Sequence, residues 1–156
     1  MVFSKSFGYA VRGIIYLSLH QGTKSYIQSE EISTQLGIPR HFLSKVLKSL
    51  SQSGILNSNK GPSGGFSLNE GTLKTPLIKL VNVTKGLPDF SECALHLKKC
   101  NASNPCPMHA KVELLRQQML EILISSRLED LLREDTHSLL SSIQTEKGRS
   151  KFSVAS

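Results

Sequence analysis

The stretch that decides the fold is residues 29–68, SEEISTQLGIPRHFLSKVLKSLSQSGILNSNKGPSGGFSL. Ser29 followed by two glutamates predicts a helix start, because a serine cap and acidic first-turn residues suit the free N–H groups there. Gly37 then predicts the end of this helix, since glycine readily adopts the left-handed conformation that terminates helices. The pattern indicates one short helix.

A second helix follows at once, with Pro39 at its first turn, where the fixed φ of proline is suitable. Apolar residues then recur at i, i+3, i+4 and i+7, which is the spacing of one helical face. They are Leu43, Val46, Leu47 and Leu50. Two short helices joined by a turn of about three residues predict a helix-turn-helix, whose second helix is the recognition helix.

A β-hairpin is predicted directly after the recognition helix. Residues 55–58 can form a strand, residues 59–65 consist of turn-forming types, and residues 66–68 alternate like a returning strand. A hairpin in this place is the wing of a winged helix. We therefore expect a mainly α fold with a small β-hairpin.

Helices on both sides complete the expected architecture. Apolar periodicity predicts helices over 6–20, from Thr75-Pro76 to about Val81, over 111–125 and over 128–133. The third of these has apolar residues at the 3-4-3 spacing of a coiled-coil seam. They are Val112, Leu115, Met119 and Ile122. We expect a winged helix-turn-helix domain (1–86), a cysteine-bearing sensor loop (87–107), dimerisation helices (108–144) and a disordered tail (145–156).

The charge is distributed unevenly. The net charge is +7, and residues 1–86 hold ten Lys and Arg against three Glu, whereas residues 87–156 hold nine charges of each sign. A single basic half is typical of a module that binds a polyanion. No run of apolar residues is long enough for a membrane span, and the N-terminal stretch lacks a small-residue cleavage site. We expect a cytoplasmic protein with no membrane partner.

Cationic and polar side chains on the outer face of the recognition helix and at the wing tip can serve double-stranded DNA, because phosphates require cations and base edges require a protruding helix. Arg40 and Ser44 are the predicted base-reading residues, since the start of a recognition helix enters the major groove. An ordinary solvated face is the alternative interpretation. The candidates are Arg40, His41, Ser44, Lys45, Lys48, Asn59, Lys60 and Ser63.

Three cysteines, Cys93, Cys100 and Cys106, lie within fourteen residues. An odd count argues against a structural disulfide framework, and clustering argues against unrelated core thiols. If Pro107 begins a helix, Cys106 and His109 can approach one side of it, so that three sulfurs and one nitrogen suit an iron–sulfur cluster or zinc. Free thiols or a redox disulfide remain the alternative.

No catalytic set accompanies these motifs, so we do not expect an enzyme. The glycine-rich segment 61–65 lacks the Lys-Ser/Thr pair and the preceding parallel-sheet pattern of a phosphate loop, and a hairpin tip explains its glycines better.

Together these motifs resemble the Rrf-two family of bacterial regulators, which includes the iron–sulfur cluster regulator and the nitric-oxide-sensitive repressor. The matching features are Tyr9-Ala10-Val11-Arg12, the stretch from Gly37 through Leu47, the wing signature Lys60-Gly61-Pro62-Ser63-Gly64-Gly65-Phe66-Ser67-Leu68, and the three-cysteine loop. The resemblance runs from about residue 3 to residue 134.

The resemblance implies a homodimer with crossing C-terminal helices and a two-iron two-sulfur (2Fe-2S) or related cluster on the three cysteines, with His109 as fourth ligand. In the nitric-oxide-sensing branch an acid near the N-terminus of the other subunit can serve instead, but the region around Gly8 has none. Ser44 stands where the cluster regulator has a glutamate that tunes operator choice, so the operator does not carry over.

Three functions follow as hypotheses. The first is a transcriptional repressor that binds a palindromic operator, with its affinity switched by the cluster, by cysteine redox state or by nitric oxide. The second is a cluster-free DNA-binding regulator that responds through thiols or zinc. The third is an adaptor without a DNA role that acts through its apolar C-terminal helices.

Overall fold

The structure, a computed structural model, describes residues 3–20, 22–87, 93–132 and 141–142. It is mainly helical with one two-stranded antiparallel sheet, as the sequence predicts. The elements in chain order are α1 (Lys5–Leu19), α2 (Ser29–Leu36), α3 (Arg40–Gln52), β1 (Leu56–Asn59), β2 (Gly65–Leu68), α4 (Leu77–Thr84), α5 (His109–Ser125) and a 3-10 helix (Leu128–Leu132).

The helix-turn-helix consists of α2 and α3. Gly37 ends α2 with a left-handed φ of 62°, which glycine adopts without steric cost. The predicted serine cap is wrong: Gln28 occupies the N-cap position, and Ser29 is the first helical residue. Ser29 is therefore free to use its hydroxyl elsewhere, as described below.

The core lies between α1, the helix-turn-helix and α4. The predicted apolar stripe of α3 is fully or nearly fully buried. Gly13 of α1 faces this stripe, and a Cβ there would lie 3.1 Å from the Leu47 Cδ2 atom. The small residue thus lets α1 and α3 pack closely, which fixes α3 with its polar face outward.

The wing is the β1–β2 hairpin, with Leu56 paired to Leu68 and Asn59 paired to Gly65. Its two adjacent glycines are required by close approach: a Cβ on Gly64 would lie 2.3 Å from the Asn59 carbonyl oxygen, and one on Gly65 would lie 2.3 Å from the Ile27 carbonyl oxygen. The glycine pair in the wing signature is therefore a steric requirement of this hairpin.

The long helix α5 begins two residues before the predicted start at residue 111, and its C-terminal end joins the same core through Leu123, as does the following 3-10 helix through Leu128. The N–H of Leu128 donates to the Thr75 carbonyl oxygen at 3.1 Å, which ties the 3-10 helix to the segment before α4. The predicted seam is divided: Leu115 and Ile122 are 63% and 61% exposed, whereas Val112 and Met119 are half-buried.

The predicted disordered tail at 145–156 lies outside the described residues, as does most of the segment 133–144. Within the described parts of the chain, no helix has the length and apolar character needed to cross a membrane.

Candidate functional site

The outer face of α3 carries the predicted base-reading and phosphate-binding residues. Arg40, His41, Lys45 and Lys48 are exposed, as this prediction requires. Ser44 is half-buried, and its hydroxyl donates to the Ser29 hydroxyl at 2.9 Å. The cations are thus accessible to a large polyanion, while Ser44 links the two helices of the motif.

Arg40 is held by an acidic neighbour. Its Nη1 atom lies 3.1 Å from the Oε2 atom of Glu30 in the first turn of α2, and both side chains are more than half exposed. The sequence pattern assigned Glu30 only to the helix start. Glu30 and Arg40 are ten positions apart in the sequence, a spacing that predicts no contact, because the pairing depends on the angle at which α2 and α3 cross.

Phe42 is a further exposed residue of this face that the sequence analysis left unassigned. Its side chain is 52% exposed, and its ring centroid lies 4.0 Å from that of His41. Its position outside the apolar stripe of α3 is the sequence feature that could have predicted this exposure. An exposed aromatic ring on such a face can contact thymine methyl groups.

The wing tip presents the three predicted polar residues, Asn59, Lys60 and Ser63, and all three are exposed. The tip is tied back to the helix-turn-helix by Gln28, whose Nε2 atom donates to the Pro62 carbonyl oxygen at 2.7 Å. The wing tip is therefore held against the start of the helix-turn-helix.

The three cysteines converge. Their Sγ atoms all lie within 4.8 Å of one another, and each residue is half-buried. The Cys93 Sγ donates to the Cys106 Sγ at 3.6 Å, which is far longer than the ~2.05 Å of a disulfide bond, so the thiols are free. The three thiols thus lie close enough to act as one group.

Short-range turns bring Cys100 and Cys106 together. The Asn101 Oδ1 atom accepts from the N–H groups of Ser103 and Asn104 at 2.9 and 2.8 Å, which curls the chain back on itself. The Cys106 N–H then donates to the Cys100 Sγ at 3.4 Å. The polar residues between the two cysteines therefore form a turn that brings Cys100 and Cys106 together.

His109 is the first residue of α5, and its Nδ1 atom lies 3.4 Å from the Cys100 Sγ. With the cysteines it lines a cleft of about 470 Å³. His109 therefore lies beside the sulfurs. Only the three cysteine sulfurs, however, all lie within 4.8 Å of one another.

The thiols differ in their electrostatic surroundings. Hydrogen bonds from the backbone N–H groups of Leu97 and Leu95 lower the pKa of Cys93 to about 7. For Cys100 the Cys106 N–H acts in the same direction, but burial and the neighbouring thiols outweigh it and raise the pKa. Cys93 is thus more readily available than Cys100 as thiolate, the form that binds metals.

The same cleft contains an ion pair that sequence reasoning missed. The Arg116 Nη2 atom lies 2.7 Å from the Glu113 Oε1 atom, while the Arg116 Nε atom is buried without a hydrogen-bond partner among the described residues. The spacing of 109, 113 and 116 places these side chains on one face of α5, and this was the available signal.

The donor set suits a soft metal centre. Thiolates and imidazole are the ligands of zinc and of iron–sulfur clusters, and three sulfurs at these separations with one nitrogen beside them fit either. The residues present therefore fit an iron–sulfur group.

Comparison with known proteins gives a consistent result. Residues 3–134 match the Rrf2 family, described as an iron-dependent transcriptional regulator. A protein of Aquifex aeolicus described as an HTH-type transcriptional regulator is 34% identical over 140 residues, which span 88% of this chain and 96% of that protein. The HTH-type transcriptional regulator NsrR of Geobacillus kaustophilus is 28% identical, over 90% and 95% of the two chains.

Among solved structures, CymR of B. subtilis, the global cysteine regulator, superposes with a TM-score of 0.64 at 21% identity, covering 84% of this chain and 95% of CymR. This likeness concerns the fold. The match of the family over nearly the whole described region, together with the Aquifex relative, shows that the chain belongs to the Rrf2 family of transcriptional regulators.

Proposed function

We propose that this regulator is a repressor that binds a palindromic operator as a homodimer, with an affinity set by an iron–sulfur cluster on Cys93, Cys100, Cys106 and His109. The observation that carries the proposal is the convergence of three free thiols on the same chain as an exposed cationic recognition helix and wing. DNA binding, dimer formation and sensing each rest on a different part of the molecule.

DNA binding is supported by the exposed cations of α3 and of the wing. Each lysine that neutralises a phosphate releases a counterion, so affinity falls as salt rises. The test is the double reversal Lys45→Glu with Lys48→Glu, measured by fluorescence anisotropy on a duplex selected by the wild type from a random library. Its control is Lys98→Glu with Lys99→Glu, which changes the charge equally on the cysteine loop.

We expect the reversal on α3 to weaken binding about tenfold or more and to reduce the salt dependence, while the loop reversal has a much smaller effect. Equal losses from both pairs would mean that net charge alone governs retention, and the assignment of α3 would be wrong.

Homodimer formation is supported by the exposed apolar side of α5. Leu114, Leu115 and Ile122 are each more than half exposed in the single chain, which is an unusual concentration on one helix. A second copy of α5 would cover them and would present two recognition helices to the two halves of a palindrome. The double variant Leu115→Glu with Ile122→Glu should therefore elute as a monomer in size-exclusion chromatography with light scattering.

Cluster binding is supported by the chemistry of the four side chains. The backbone N–H groups that lower the pKa of Cys93 favour the thiolate needed for ligation. His109 stands next to Cys100, and the start of α5 fixes its position. When bound, an iron–sulfur cluster supplies a group that changes charge by electron transfer or reacts with oxidants, and so reports redox state.

The cluster is tested by anaerobic purification. We expect a brown protein with iron and acid-labile sulfide, and we expect His109→Ala to alter the visible spectrum or make the cluster labile. Colourless, iron-free protein that binds DNA equally before and after oxidation would overturn the sensing mechanism.

A cluster-free regulator that responds through thiols is the second candidate. It is favoured by the Cys93–Cys106 sulfur contact of 3.6 Å and by the lowered pKa of Cys93, because a thiolate close to another sulfur is prone to oxidation. Metal analysis separates zinc from iron, and intact mass under mild oxidant shows the loss of two hydrogens if a disulfide forms.

A further inference from the structure

Three consecutive side chains at the start of α2 each contact a different part of the proposed DNA-binding surface. Gln28 donates to Pro62 in the wing, Ser29 accepts from Ser44 in α3, and Glu30 pairs with Arg40 at the start of α3. This short segment thus touches both elements that face DNA.

The contact from Gln28 joins residues 34 apart in sequence. Gln28 occupies the N-cap position of α2, but its side chain makes no capping hydrogen bond and instead donates to the Pro62 carbonyl oxygen at 2.7 Å. The neighbouring backbone adds two hydrogen bonds between Ile27 and Phe66, at 3.0 and 2.9 Å. The wing is therefore fixed to the start of α2 through its tip and through the returning strand β2.

The contacts from Ser29 and Glu30 fix α3 in the same way. Ser29 and Ser44 form a half-buried hydroxyl pair, and Glu30 and Arg40 form an ion pair. Along α3, Ser44 lies one helical turn after Arg40. Glu30 is a carboxylate on a surface that would face phosphates, where it opposes binding. Its pairing with Arg40 holds the guanidinium at one place, so that the arginine is less available for indiscriminate phosphate contacts.

We propose that Gln28, Ser29 and Glu30 form a positioning segment that holds the wing and the recognition helix in one arrangement and thereby sets the ratio of specific to non-specific DNA affinity. The inference rests on the proposed DNA binding. These residues act through Pro62, Ser44 and Arg40, in the way that supporting side chains preorganise a binding site, and specificity is a difference between two affinities.

The test uses Gln28→Met, which keeps the length of the side chain but removes the donor, and Glu30→Gln, which removes the charge. The matched controls are Gln52→Met at the end of α3 and Glu70→Gln in the exposed turn after β2. Fluorescence anisotropy gives the Kd for a duplex selected by the wild type and for a random-sequence duplex of equal length, across a salt series.

We expect Gln28→Met to weaken the selected duplex about two- to tenfold, the range of one lost hydrogen bond, with a smaller change on the random duplex. We expect Glu30→Gln to tighten binding to the random duplex and to steepen its salt dependence by about one phosphate contact. In an Arg40→Gln background the effect of Glu30→Gln on the random duplex should largely disappear. Both variants lower the affinity ratio, while their melting temperatures and both controls stay near wild type.

Unchanged affinity ratios in both variants, or an equal fall in the controls, would overturn the positioning role while leaving DNA binding intact. An effect of Glu30→Gln that persists without Arg40 would show plain charge repulsion and would overturn it as well. If the wild type bound neither duplex, the proposed function itself would fail.

Discussion

The winged-helix region (α1 to α4) and the cysteine region (residues 93–106) are stabilised in different ways. The first rests on fully buried apolar side chains of α1, α3 and α4, such as Ala10, Leu43 and Leu80. No residue of the segment 93–106 is buried, and this segment is held by turns and sulfur contacts. We therefore expect the winged-helix region to keep its fold without a bound metal, whereas the order of the cysteine region should depend on what its side chains bind.

The low burial of the cysteine region bears on how it would respond to a bound metal. A segment that buries little apolar surface gains much of its order from a bound metal centre, because metal binding and folding are then coupled. Loss of the centre would change the order of the loop without unfolding the winged helix. Such independence would suit the proposed sensing role.

The largest expected effect concerns the cysteines. Cys100→Ser should abolish iron binding in anaerobically purified protein, since the other sulfurs and His109 all lie around this residue. Because no apolar core is lost, the melting temperature of the winged-helix domain should stay nearly unchanged. Ser103→Ala, an exposed change in the same loop, serves as the control and should retain iron. Unfolding of the whole chain by Cys100→Ser would contradict the independence of the two regions.

A core substitution should have the opposite result. Leu47→Ala removes a fully buried side chain opposite Gly13, and it should lower the free energy of unfolding by about 2–5 kcal/mol. Leu95→Ala, at a 48% exposed leucine of the cysteine loop, should change it by less than about 0.5 kcal/mol. Urea denaturation followed by circular dichroism measures both. Similar losses would mean that the loop belongs to the cooperative core.

The smallest expected effect is a pH dependence of the core. Burial and, to a smaller extent, the charge of Glu31 raise the pKa of Tyr16 to about 12. An unfolded tyrosine loses its proton near pH 10, so the stabilising contribution is complete below that pH and is lost as pH rises to 12. The decline is at most about 1.4 kcal/mol per pH unit.

The measurement compares urea denaturation of the wild type and of Tyr16→Phe between pH 9 and 12. The phenylalanine variant should lack this part of the decline. Parallel curves for the two proteins would show that the Tyr16 hydroxyl titrates normally and is not buried as described.

Local patterns in the sequence determined the elements well. The stripe of Leu43, Val46, Leu47 and Leu50 fixed α3, and the glycines of the wing signature fixed the hairpin, since both express short-range geometry. Clustering in sequence also sufficed to predict that the thiols converge, because the loop that joins them is short.

Contacts between distant segments could not be predicted in this way. The pairing of Gln28 with Pro62 depends on how the wing folds back, and that of Glu30 with Arg40 depends on the crossing of two helices. The exposed state of Leu115 and Ile122 follows from which side of α5 packs on the core through Leu123. The two pairings follow no periodicity or motif, and the 3-4-3 spacing on α5 does not say which of its apolar residues pack on the core, so only the tertiary structure shows these features.

We propose that α3 and the wing tip together contact duplex DNA, and hydrogen–deuterium exchange can test this contact. Exchange is compared for the wild-type protein alone and with the duplex that it selects. We predict that backbone amides in segments 40–48 and 59–63 become protected, while those of 93–106 change less. Protection confined to the cysteine loop or α5, with α3 and the wing unchanged, would show that DNA does not bind at α3 and the wing.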